Sequence, residues 1–65
     1  MVWFFAVVAR DDGSWECRRG QAVIDVHRTL DEATEHCRIV AAQHIPAQVR
    51  VHHPQGVVEL VADLD

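Results

Sequence analysis

The run Val2-Trp3-Phe4-Phe5-Ala6-Val7-Val8-Ala9 contains no polar side chain and stops abruptly at Arg10-Asp11-Asp12. Its β-branched and aromatic content reads as a strand. A strand with one wet face alternates apolar with polar residues, whereas one buried on both faces is apolar throughout. This run is apolar on both parities, Trp3, Phe5 and Val7 on one side and Val2, Phe4, Ala6 and Val8 on the other. It therefore demands cover above and below. It is also the longest apolar run, far short of the roughly 20 residues a bilayer-spanning helix requires.

Working outward, Asp11-Asp12-Gly13-Ser14 has turn chemistry, with Gly13 free to adopt positive φ. Trp15 to Arg18 or Arg19 then returns as the second strand of a hairpin. Arg19-Gly20-Gln21 interrupts it, and Ala22 to His27 is extended, either as a continued strand or as a loop tracking the surface. Thr29-Leu30-Asp31-Glu32 is a capping box, in which the Thr29 hydroxyl accepts from the Glu32 amide and the Glu32 carboxylate reaches back to the Thr29 amide. Asp31 and Glu32 also favour the positive end of the helix dipole. Leu30, Ala33, Cys37, Val40, Ala41 and His44 form one helical stripe that ends before Pro46. Ile39 falls nearly opposite Cys37, on the wet side.

In Ala47-Gln48-Val49-Arg50-Val51-His52, Val49 and Val51 alternate with Arg50 and His52 as in a half-buried strand. Pro54-Gln55-Gly56 turns the chain into a last strand from Val57 to Ala62. The alternation places Val58, Leu60 and Ala62 on the core face and Val57, Glu59 and Val61 on the other. The order β-β-α-β-β predicts a single α+β domain over residues 1–65. Its expected architecture is two layers, a four-stranded antiparallel sheet with one helix packed on one face.

The aromatic first strand, the Asp12-Gly13-Ser14-Trp15 turn, the Thr29-Leu30-Asp31-Glu32-Ala33 helix start and the Val49-Arg50-Val51-His52 strand followed by Gly56 occur here in that order. Together they resemble a small bacterial family designated domain of unknown function 2188, over nearly the whole chain. The resemblance implies a compact ββαββ domain. Its motifs form the fold and carry no catalytic residue, so it implies no activity and transfers no site.

Composition narrows the function classes. Ten acidic residues against six basic ones give a net charge of −4, and all six cations are arginine. That balance opposes duplex DNA, whose phosphates require a basic footprint. With 49% apolar residues the chain is not disordered. Two cysteines are too few for a disulfide scaffold, and no basic segment precedes the first apolar run as a secretory signal requires. The expected compartment is the cytoplasm, with Cys17 and Cys37 as buried thiols rather than a disulfide, although a bridge between them is feasible if the second strand lies under the helix.

One helix covers one face of a sheet. The opposite face then exposes one parity of the first strand, Phe4 or Phe5, near Val57 and Val61, with Arg18, Arg50, Glu16, His52 and Glu59 around them. An apolar centre with a mixed-charge rim is the composition of a protein interface. The expectation is a non-enzymatic interaction module that forms a homodimer through the helix-free face, with Phe4, Phe5, Val57, Val61, Arg18 and Arg50 as candidates. A protein partner other than its own copy is the further possibility. The opposing solution folds the termini or the Ala22–His27 segment over that face.

Other chemistries are expected to be absent. The five histidines invite a metal, but zinc sites need four convergent ligands, usually in tight pairs. No Cys-x-x-Cys or His-x-x-x-His pair occurs, and neighbours His52 and His53 point to opposite faces of a strand. No metal and no cofactor are expected, and His44 is placed at the core edge. A Cys37–His44 nucleophile pair spans roughly 10 Å of helix at ~1.5 Å per residue, too far for proton transfer. The alternative classes are a platform for single-stranded nucleic acid, built on aromatics beside Arg18 and Arg50, and a histidine-based metal binder.

Overall fold

The computed structural model describes residues 1–65. Strand β1 spans Trp3–Ala9, β2 Trp15–Arg19 and β3 Ala22–His27. Helix α1 spans Leu30–Ala41 and continues as a short 3-10 turn, Ala42–His44. Strands β4, Ala47–His52, and β5, Val58–Leu64, complete the chain. The fold is α+β with one helix on a five-stranded mixed sheet, in the order β3-β2-β1-β4-β5.

The four-stranded antiparallel sheet expected from the sequence is thus corrected in two linked respects. The ambiguous Ala22–His27 segment is a strand, joined to β2 by the two-residue turn Gly20-Gln21, with Arg19 opposite Ala22. Gly20 has φ +58°, as the first position of the hairpin turns that match strand twist requires. Each strand or helix in this fold reverses the chain direction. One additional strand before the helix therefore reverses everything after it, and β4 runs parallel to β1 instead of antiparallel. Parallel neighbours need a long crossover. Here β2, β3 and α1 supply it, and β1 becomes the central strand.

Helix α1 begins as its sequence requires. The Glu32 amide donates to the Thr29 hydroxyl at 3.1 Å, with Asp31 and Glu32 in the first turn. The returning bond from the Glu32 carboxylate does not form, so the capping box is half made. The buried helix positions are Ala33, Cys37 and Ala41, all small, and they let the helix settle closely on the sheet. Beneath them lie Phe5, Val7, Cys17, Ala47, Val49 and Val51. Leu30, Val40, Trp15, Val61, Ala62 and Leu64 seal the margins.

Only nine of 65 residues are buried, and Phe5 is the largest. A domain this small is stabilised by about 3–5 kcal/mol from its core. Phe5→Ala, at a cost of about 3–5 kcal/mol, is expected to abolish the cooperative thermal transition followed by circular dichroism. Gly20→Ala is expected to keep the native spectrum and lose about 1–2 kcal/mol in denaturant titration, the cost of a side chain in left-handed backbone. A Gly20→Ala chain as stable as the parent would contradict the β2–β3 turn.

Candidate functional site

The helix lies on one side of the sheet, over β1, β2 and β4. The other side is left without a covering layer. Neither terminus folds over it, and Ala22–His27 widens the sheet instead of closing it. Register determines its membership. Phe4, Ala6 and Val8 of β1 point there, since Phe5 and Val7 point to the helix. Glu16 pairs with Val8 and Arg18 with Ala6 across the β1–β2 ladder, and Val26 and Val23 continue the face on β3. Gln48, Arg50 and His52 extend it through β4, with Leu60 and Val58 opposite the last two.

The six interface candidates read from the sequence separate accordingly. Phe4 is on the open face and 58% exposed, whereas Phe5 is 1% exposed in the core. Arg18 and Arg50 stand on the open face, half-buried along their stems. Val57 is exposed in the β4–β5 turn, where its carbonyl accepts from the His53 amide at 2.8 Å. Val61 packs against the core on the helix side, and so does not line the open face. The cause is a register shift between Val49 and Arg50, which makes Val61 the extra residue of a bulge on β5. Alternation restarts beyond it. Ala62 and Leu64 turn inward while Val58 and Leu60, expected in the core, are 51% and 49% exposed on the open side. No residue in the Val57–Leu64 stretch marks that bulge in the sequence. Glu59 pairs with the buried Val51 and faces the helix side, where it meets His53 at 3.1 Å.

On the open face, charged residues of β2 and β4 border the apolar central strand, and the outer strands β3 and β5 are apolar again. Glu16 lies between two guanidinium groups, accepting from Arg18 Nε at 2.6 Å and from Arg10 at 3.3 Å. The Arg50 guanidinium sits 5.6 Å from the centre of the Phe4 ring, in cation–π range. Val23, Val26, Val58 and Leu60 add apolar surface on both flanks. Phe4 is the one phenylalanine or tryptophan ring on this side. Trp3 and Trp15 share the parity of the core residues, Trp3 against His44 at 5.2 Å and Trp15 against His53 at 6.3 Å. The aromatic platform expected for single-stranded nucleic acid is therefore reduced to a single ring.

On the helix side, His44 packs between Trp3 and Phe5, with ring centres 5.2 and 5.9 Å away, and so lies at the core edge. Cys37 is elsewhere, against Cys17 beneath the helix. Both sulfurs are free thiols, fully buried. The Cys37 thiol donates to Cys17; that bond and burial push the Cys37 thiol up, while the same bond draws the Cys17 thiol down against the effect of its burial. Strand β2 thus does run under the helix, as a bridge would need. A shallow groove between α1 and β5, lined by Leu30, Thr34, Glu35, Arg38, Glu59 and Val61, has an ionic rim and lies open to solvent. No helix is long and apolar enough to cross a membrane.

A one-helix α+β domain with a bare sheet face is the class that this geometry defines. Residues 5–60 match a bacterial family described as uncharacterised protein conserved in bacteria, domain of unknown function 2188. The chain belongs to that family. No curated protein and no solved structure matches it.

Burial of both thiols gives a direct check. Alkylating reagent applied to the reduced native protein is expected to leave both cysteines unmodified, and in denaturant to modify both, as read by intact mass. Rapid native labelling of Cys17 would contradict the packing of β2 under α1.

Proposed function

We propose that this protein is a small interaction module that pairs with a second copy of itself through the helix-free sheet face. The observation that carries the reading is the exposure of Phe4, Val23, Val26, Val58 and Leu60 on one sheet face that no other part of the chain covers. An uncovered face with that many large apolar side chains is the kind of surface that marks an interaction site.

Charge favours a like partner. The face carries Arg18 and Arg50 against Glu16 and, next to the inward-facing Ala62 and Leu64, Asp63. A second copy thus brings balanced charge to a balanced surface, whereas a polyanion meets a chain of net charge −4. Size sets the strength. Five strands spaced about 4.8 Å apart, each contributing about six residues at ~3.3 Å, present roughly 480 Å² in projection. Accessible area exceeds projection on a corrugated face, and a standard interface buries about 800 Å² per partner. The pairing therefore belongs at the small end of specific interfaces, with an affinity on the order of micromolar. The same thin core that leaves the lone chain marginal makes burial of a second face worthwhile. The module acts without catalysis, and the exposed apolar groups of its open face are arranged as a contact surface.

Sedimentation equilibrium across a concentration series tests the reading. The wild-type chain is expected to shift from one to two chain masses as concentration rises. Phe4→Glu is expected to stay at one chain mass with an unchanged far-ultraviolet spectrum, because Phe4 takes no part in the core. A wild-type chain that remains a single chain up to the highest soluble concentration overturns the proposal.

A further inference from the structure

On the helix side, remote from the open face, β2, β3 and α1 each bring one donor to a common point. The Cys17 sulfur, a carboxylate oxygen of Asp25 and an imidazole nitrogen of His36 all lie within 4.8 Å of one another. The set is one sulfur, one oxygen and one nitrogen, donor types that zinc accepts at three protein positions with water at a fourth.

The donors also look unfinished without an ion. The His36 Nδ1 atom is itself buried and has no hydrogen-bond partner. The Asp25 Oδ2 atom lies 2.6 Å from it, out of line for an N–H···O bond. The other Asp25 oxygen is held by His27 Nε2 at 3.0 Å, so the carboxylate is oriented from behind, as ligating carboxylates usually are. Access is graded: the Cys17 sulfur is fully buried, while the His36 and Asp25 side chains are 40% and 31% exposed and leave an entry path beside β3.

We propose that Cys17, Asp25 and His36 form a site for one divalent transition-metal ion of the zinc class, with water completing its coordination. The Cys17 thiol loses its proton to solvent on binding, and His36 coordinates through Nδ1 with its other ring nitrogen protonated. The ion ties the edge strand β3 and its neighbour β2 to the helix.

Cobalt(II) is the probe, added to chelator-stripped protein kept reduced. The expected result is a thiolate-to-cobalt charge-transfer band with the visible bands of a tetrahedral ion, saturating at a single equivalent and abolished by zinc. His36→Gln and Asp25→Asn change partly exposed side chains and are expected to weaken binding by about tenfold or more. His52→Gln, on the open face, is expected to titrate like the parent. Absence of a sulfur–cobalt band in the wild-type protein, even with excess metal, overturns the proposal. So does wild-type affinity in both the His36→Gln and Asp25→Asn chains. The site shares no residue with the open face, so these titrations and the oligomeric state succeed or fail separately.

Discussion

Everything in this protein depends on the contact between a narrow stripe of small helix residues and the middle of the sheet. Ala33, Cys37 and Ala41 are fully buried against Phe5, Val7, Cys17, Val49 and Val51. Small side chains on the helix bring its axis close to the strands, and the larger residues of the sheet fill the space between. With so few buried residues, each contributes a large share of the net stability, and nothing in the core is redundant. The same economy leaves one side of the sheet without any cover from within the chain.

Two consequences follow from that one-sided packing, and they lie on opposite faces. On the bare side, the central strand presents Phe4, Ala6 and Val8, bordered by Glu16 and Arg18 on β2 and Arg50 on β4, with Val23, Val26, Val58 and Leu60 on the outer strands. The proposed pairing covers that face. On the helix side, the close approach that seats Cys37 on Cys17 also carries His36 to Asp25 at the edge of the sheet. Packing thereby collects sulfur, nitrogen and oxygen donors that are far apart along the chain.

The β5 bulge shows how much a single residue alters. Without an extra residue at Val61, strict alternation would turn Val58 and Leu60 to the helix and leave Val61 on the bare side. With it, the outer half of β5 supplies apolar surface to the open face and the inner half closes the core through Ala62 and Leu64. Strand β2 against β3 has a comparable shift between Cys17 and Arg18, which brings Asp25 opposite Cys17. Both irregularities thus decide which side chains meet.

Local signals written in the chain determined the first hairpin, the Thr29 cap, the helix and its buried stripe, the β4–β5 hairpin and the two-sided apolar character of β1. Each depends on side-chain type and spacing over a few residues, which a linear reading captures. That reading also places a bare face opposite the helix and puts Arg18 and Arg50 on it. Only the tertiary structure decided that Ala22–His27 is a strand, because Gly20-Gln21 is a weak turn signal and the segment lacks strict alternation. That one strand then reversed the direction of β4 relative to β1, a global effect of a local ambiguity. The choice of Phe4 over Phe5 for the open face, the inward turn of Val61 and the meeting of Cys17, Asp25, His36 and Cys37 rest on register, bulges and the crossing of the helix. Those are relations between distant segments, and residue spacing along a single strand or helix does not encode them.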